Sequence, residues 1–449
     1  MDTHRIEGTT KRANEPVGEA TGQRSGGAVP PRIHRGLDAL NFFLADVRDG
    51  LGPYLAIYLL AVRGPEQGWN EGTIGLVITI AAIAGLLSQT PVGALIDRTR
   101  HKRAVVIAAA LAVTASCVAL PFISGFYAIA ATQSLAGIAG AVFPPAIAAI
   151  TLGVVGPKAF SRRIGRNEAF NHAGNAASAA LAAVTAYAFG PVVVFWIMAA
   201  LAVASIAAML TISARAIDDD LAQGLDEPGG RAGHEEPSAW TALLTCRPLL
   251  VFAGLMATFH LANAAMLPTV GQKLTQVVGK DHATSLIASC IVAAQCVMVP
   301  VAMMVGARAD RWGRKPIFLV AFGVLALRGL LYPVSDHPAW LLGVQLLDGV
   351  GAGIFGALFP VVVADLTRGT GRFNVSQGAV ATAQGLGAAL SASLAGGVIV
   401  GLGYSAAFIA LGAVAALGFL GYLLLMPETR QGRMGADPSP PGAAVLPRV

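Results

Sequence analysis

Charge is what this sequence has least of. Of its 449 residues only 12% are Asp, Glu, Lys or Arg, where an average soluble protein has roughly a quarter. So few charges cannot give a chain of this length a water-facing skin, which excludes an ordinary soluble architecture. Cysteine is scarce as well, limited to Cys117, Cys246, Cys290 and Cys296. Three of them fall inside apolar stretches, so no disulfide framework is expected and packing is their ordinary role. No phosphate-binding loop with its lysine occurs, and no Cys/His spacing of a metal site. An ATP-driven machine, a metalloprotein and an enzyme are therefore not expected, and no cofactor is implied. Residues 1–36 lack the apolar core of a cleavable signal. With Arg5, Lys11, Arg12, Arg24, Arg32 and Arg35 among Gly, Thr and Pro, they read as a disordered cytoplasmic tail, as does the Pro-rich stretch 431–449.

What the sequence has in excess is apolar length. Hydrophobic residues make up 55% of it and gather in runs of about 20, the length of a membrane-crossing helix. The runs lie near 37–62, 73–96, 103–123, 126–150, 166–189, 191–213, 248–271, 283–307, 315–334, 339–364, 376–400 and 404–426. Lys and Arg are retained on the cytoplasmic side of a membrane, and they alternate here. Clusters such as Arg98–Arg103, Lys158–Arg166 and Arg308–Lys315 face one side, while only Arg63, Lys273 and Lys280 fall in loops on the other. Both termini are therefore expected in the cytoplasm of a multi-pass protein of the cell (inner or plasma) membrane. The net charge of +6 belongs to this basic rim and suits lipid headgroups rather than nucleic acid.

The two halves repeat one another. Gly93, Asp97 and Arg98 recur as Gly306, Asp310 and Arg311, and Gln133, Gly137 and Phe143 recur as Gln345, Gly349 and Phe355. The implied fold is all-α integral membrane, with twelve transmembrane helices in two pseudo-symmetric six-helix bundles, 37–213 and 248–430. Residues 214–247 form a central cytoplasmic loop, whose Asp218, Asp219 and Asp220 suggest a solvated linker. Gly351, Gly353 and Gly356 have the spacing of a dinucleotide fingerprint but sit in an apolar run with no preceding strand, so helix packing is the better reading.

At these residues the chain resembles the major facilitator superfamily, across roughly 37–430. The family loop after the second span reads Gly, Asp, Arg, Gly and then basic residues. Gly306, Asp310, Arg311, Gly313, Arg314 and Lys315 match it fully, while the first copy has Arg100 where a Gly is usual. Met426–Arg430 also look like the ending of many members. The resemblance implies a transporter of a small organic solute, working by alternating access between two halves.

Several polar groups inside the spans are candidates for the solute or proton path. Asp38, Asn41, Asp46, Arg48 and Asp49 share one face of span 1, and intramembrane charge usually marks function; a structural network without ligand contact is the other reading. Gly50, Gly52 and Pro53 could break that helix. In span 5, Glu168, Asn171, His172 and Asn175 lie on one stripe, where Glu168 or His172 could exchange a proton or Glu168 could simply begin a helix. His260 and Asn263 form a smaller polar turn in span 7, with a structural histidine the favoured reading. Arg328 and Asp348 fall at matched depth on antiparallel neighbours and suggest an ion pair, against snorkelling of Arg328. At the cytoplasmic boundary Asp97 and Asp310 can meet a neighbouring helix N-terminus or an Arg and hold one conformational state. For Arg100, Lys102, Arg103, Arg314 and Lys315 a purely topological role is favoured. The expectation is thus a monomeric, proton-coupled secondary transporter with export slightly favoured over uptake symport. The rival from another class is a non-transporting receptor or scaffold.

Overall fold

The computed structural model describes residues 29–49, 53–59, 67–189, 192–225, 246–278 and 280–430. Among these the chain is helical and contains no strand. In order the helices are α1 (Pro31–Asp49), α2 (Pro53–Tyr58), α3 (Glu71–Arg98), α4 (Lys102–Val118), α5 (Phe126–Gly140), α6 (Phe143–Phe189) and α7 (Val193–Thr211). A short α8 (Asp219–Ala222) precedes α9 (Arg247–Asn263), α10 (Met266–Val278), α11 (Lys280–Trp312), α12 (Arg314–Leu331), α13 (Pro338–Leu366) and α14 (Phe373–Leu425). Eight helical stretches among the described residues are long and apolar enough to cross a membrane.

Two of those stretches exceed a single crossing. The 53 residues of α14 would run about 80 Å as one straight helix, more than twice a bilayer core. Its helical path breaks at Gly403 (φ 84°, ψ 176°), and that of α6 breaks at Gly156 (φ 69°, ψ 171°). Glycine reaches positive φ without a Cβ clash, and Pro157 then opens the second arm of α6, where a missing N–H costs nothing. With these breaks the helix order is consistent with the twelve crossings expected.

Local sequence sets other boundaries. Asn70 caps α3 by accepting from the Thr73 N–H at 3.0 Å, and His337 caps α13 by accepting from the Ala339 N–H at 3.2 Å. Helix is interrupted mid-bundle between α5 and α6 and between α9 and α10. At the second interruption the Ala265 N–H donates to Ser391 Oγ of α14 at 3.0 Å, so a side chain from another helix satisfies a backbone group where no water is at hand.

Apolar side chains form two cores. One, around Leu37, Phe143, Phe195 and Met198, belongs to the first half. The other, around Phe252, Phe318, Phe322 and Tyr422, also takes in Phe160 and Ile164 of α6. Phe160 meets Phe373 edge-on at 5.8 Å, joining the halves. Leu87, Val184, Val400 and Leu424 remain exposed, as an apolar rim facing lipid requires.

Candidate functional site

The halves approach closely at the end of the bundle that holds Asp97. Asp97 is buried on the last turn of α3, and its carboxylate accepts from the Asn374 N–H at 3.1 Å, the Val375 N–H at 2.8 Å and the Asn374 side-chain amide at 2.7 Å. An anion on the first free N–H groups of a helix satisfies them and complements the dipole. One turn earlier Gly93 lies on the Asn374 carbonyl, leaving no room for a Cβ. Thr90 and Thr382 share a hydrogen bond at 3.2 Å further along the same crossing.

The second copy of this loop behaves differently. Gly306 does mark a crossing: a Cβ there would come within 2.7 Å of the Gly165 Cα on α6. Asp310, however, pairs with Arg314 on the next helix at 2.7 Å, and Arg314 also reaches Asp365 at 3.0 Å. The N-terminus of α12 is capped by Glu428, which accepts from the Arg314 N–H at 2.8 Å and the Lys315 N–H at 3.2 Å. Gly313, at φ 91°, keeps its missing Cβ out of the way of that carboxylate. Arg98 and Arg311 are exposed, and the Arg311 carbonyl accepts from Arg430 at 2.7 Å.

Two residues of the basic clusters depart from the topological role favoured above. Arg314 is the buried partner of two carboxylates, and Lys102, 1% exposed, pairs with Asp219 at 2.8 Å. The solvated-linker reading of the Asp218–Asp220 run is corrected for the same reason. The Asp218 N–H donates to the Gly153 carbonyl at 3.0 Å, and its side chain caps α8. The Ala222 carbonyl accepts from the Asn374 amide at 3.0 Å and that of Gln223 from the Phe373 N–H at 3.1 Å. Residues 213–225 therefore bridge the two halves beside Asp97: their carbonyls accept from the start of α14, while backbone N–H groups and the buried Lys102 donate to Asp218 and Asp219.

Deeper in the bundle the span 1 candidates separate. Asn41 is buried and its amide donates to the Leu37 carbonyl of its own helix at 2.8 Å. Asp38 accepts from Arg163 at 2.7 Å and from Arg166 at 2.9 and 2.7 Å, tying α1 to α6. Asp46 and Arg48 are half-buried. The Asp49 side chain, Gly50 and Gly52 lie outside the described residues.

On α6, Glu168 lies against α13, where a Cβ on Gly356 would come within 3.0 Å of its Oε2. Asn171 is buried and approaches that carboxylate at 3.5 Å. His172 Nδ1 is 2.8 Å from Gln295 Oε1 of α11, across the interface. Asn175 is half-buried on the same side of the helix. On α9, His260 Nδ1 donates to its own Met256 carbonyl at 3.0 Å while the ring meets Phe355 edge-on at 4.9 Å. Asn263, one turn on, joins a separate cluster. There Arg328, 2% exposed, donates to Asn263 at 2.6 Å, to Asp348 at 2.6 Å and to Gln345 at 3.2 Å. Tyr332 donates to Gln345, and Gln345 donates to Asp348 at 3.0 Å. Gln295 and Tyr332 were missed in the sequence, whereas Gln345 was visible as a repeat partner of Gln133 without a role.

Comparison with known proteins decides what this scaffold is. The family model described as Major Facilitator Superfamily matches residues 39–277 and 256–447. The chain belongs to the major facilitator superfamily. Two relatives from Mycobacterium tuberculosis, the uncharacterized MFS-type transporters MT2531 (strain CDC 1551 / Oshkosh) and Rv2456c (strain ATCC 25618 / H37Rv), are each 58% identical over 402 residues. In each case the match covers 90% of this chain and 95% of the relative. Among solved structures, the MFS proton:xylose symporter XylE, bound to 6-bromo-6-deoxy-D-glucose, superposes with a TM-score of 0.71 at 12% identity, covering 89% of this chain and 96% of that one. The human organic anion transporter MFSD10 (TETRAN) superposes with a TM-score of 0.65 at 16% identity, covering 88% and 100%. The protein is thus a multi-pass membrane transporter of this superfamily. Members bind small-molecule substrates within the membrane, between halves like those that meet here at Asp97 and Gly306.

Proposed function

We propose that this superfamily transporter is a proton-coupled exporter of a small organic solute, resident as a monomer in the plasma membrane with both termini and the Asp97 end in the cytoplasm. The observation that carries the reading is Glu168, a half-buried carboxylate at the contact between halves, whose side-chain hydrogen bond among the described residues is the 3.5 Å one from Asn171. Ionisable side chains inside membrane spans usually mark a solute or ion path. Asp46, also inside the bundle, and Asp49, from its place in the sequence, are the further carriers in this reading.

The Asp97 contacts support a state closed to the cytoplasm and accessible from the other side. Opening toward the cytoplasm would separate Asp97 from α14, part Gly165 from Gly306 and release the 222–224 carbonyls, while the Lys102–Asp219 pair travels with the first half. Counterflow in proteoliposomes against a solute library, at two pH values, tests this. A solute whose efflux is driven by an inward proton gradient and abolished in Glu168→Gln is the expected result. Gradient-driven uptake would favour the symporter, and no flux of any solute with intact binding would favour a receptor.

A further inference from the structure

Beside the Lys102–Asp219 pair, at the start of α4, lies a cavity of about 240 Å³. Arg100, His101, Lys102 and Arg103 line one side of it, and Ala214, Ile217 and Asp219, from the segment after α7, line the other. Its single carboxylate is already committed, since Asp219 pairs with Lys102 at 2.8 Å. Neither Arg100 nor Arg103 has a carboxylate partner among the described residues. Arg103 donates to the Leu210 carbonyl at 3.5 Å, and its Nε is buried without an acceptor. A buried donor of a charged group calls for an acceptor, and an anion in the cavity would supply one.

The internal repeat shows an anion at the equivalent corner of the second half. Glu428, three residues past the end of α14, accepts from the Arg314 and Lys315 N–H groups at the start of α12 at 2.8 and 3.2 Å. Three residues past the end of α7 the first half has Ala214, whose methyl accepts nothing, and no side chain caps the start of α4. Counted from the repeated Asp97 and Asp310, Arg100 stands where the second half has Gly313. The first half thus lacks the internal carboxylate, carries an additional arginine, and holds a cavity in the same place.

The cavity lies where apolar spans end, α3 at Arg98 and α7 at Thr211. Two exposed apolar stripes run from it along the helices, Ala104, Ala108 and Leu111 on α4 and Leu210, Ala207 and Val203 on α7. The two helices pack together, and Arg103 reaches from one to the other through the Leu210 carbonyl. Basic pockets at the ends of spans suit lipid headgroups, and the stripes give acyl chains a surface from which a soluble anion would gain nothing.

We propose that this cavity binds the phosphate of an anionic phospholipid from the leaflet bordering the Asp97 end, with Arg100, His101 and Arg103 on the headgroup and the acyl chains along α4 and α7. The lipid supplies the anion that Glu428 supplies in the second half. It ties the start of α4 to residues 214–219, which lead into the bridge between the halves. The inference depends neither on the solute nor on the direction of transport.

The test uses the full-length protein in dodecyl maltoside, with phosphatidylglycerol and phosphatidylcholine of matched chains as probes and inorganic phosphate as the soluble anion. Native mass spectrometry reads the affinity of the tightest lipid site, and thermal unfolding reads its effect on stability. Phosphatidylglycerol is expected to bind about tenfold or more tighter than phosphatidylcholine and to raise the melting temperature. Ala214→Glu, which gives the first half the carboxylate of the second, is expected to weaken that site by a similar factor without lowering the melting temperature of the lipid-free protein. A merely structural role for the arginines predicts no such exchange. The Arg100→Ala, Arg103→Ala double variant should weaken the site likewise, whereas Arg162→Ala, an exposed arginine of α6 outside the cavity, should leave it unchanged. Equal binding of the two lipids, unchanged phosphatidylglycerol affinity in Ala214→Glu, or an equal loss in Arg162→Ala would overturn the inference. Displacement of phosphatidylglycerol by millimolar inorganic phosphate, with the same rise in melting temperature, would overturn it too, because the site would then belong to a soluble anion.

Discussion

Replacing Arg328 by Ala should be among the most damaging single changes in the second half. Its guanidinium is 2% exposed and donates to Asn263 and Asp348 at 2.6 Å each and to Gln345 at 3.2 Å, joining α9, α12 and α13. Truncation removes that partner from Asp348 and leaves it, among the described residues, the Gln345 amide at 3.0 Å. Breaking a buried pair from one side costs about 3–5 kcal/mol. Asp348→Ala leaves the opposite orphan, but Arg328 keeps Asn263 and Gln345, so its cost should be the smaller, about 2–4 kcal/mol. Removing both charges leaves mainly a cavity and lost neutral hydrogen bonds, and the double variant should lose at least about 2 kcal/mol less than the sum of the singles. The assay is denaturant-induced unfolding in mixed micelles for the four proteins of the cycle. Strictly additive losses would mean that the 2.6 Å contact contributes no coupling, and the argument from buried charge would be wrong.

Three other outcomes follow from the contacts between the halves and from span 1. Asp97→Asn keeps one acceptor but loses the charge on the α14 N-terminus, which is about 0.3–2 kcal/mol; paired spin labels across the Asp97 end should report a several-fold larger open population, and unchanged distances would refute it. Lys102→Ala strands the acidic run beside the interface, so hydrogen exchange at residues 218–224 should rise, with Asp219→Ala giving the same pattern; continued protection in both would mean that the backbone contacts alone hold the segment. Asp46→Asn and Asp49→Asn, made separately, should abolish proton-driven flux while the protein still inserts, because an amide cannot carry a proton through the cycle; full flux in both would remove these residues from coupling.

The amino-acid sequence by itself determined the solvent and the scaffold. Low charge and apolar runs of about 20 leave a bilayer as the only medium in which such a chain is stable, and the recurrence of Gly93 and Asp97 as Gly306 and Asp310 exposes the duplicated halves. It also placed Arg328 and Asp348 at one depth, since rise per residue converts sequence distance directly into depth along a helix. What it could not assign was lateral partnership, which depends on how helices pack and not on spacing within any one of them. Asp97 and Asp310 are equivalent by pattern, yet one caps α14 across the interface and the other turns back within its own half to Arg314, which Asp365 also holds. Asp38, read only as one member of a polar face of span 1, proved to be held by Arg163 and Arg166 of α6. The Asp218–Asp220 run looked like solvent-facing charge until Lys102 and the start of α14 supplied partners. Glu168 came to rest against Gly356 of α13 only in the tertiary structure, since which helices meet across the two halves is a property of the packed bundle.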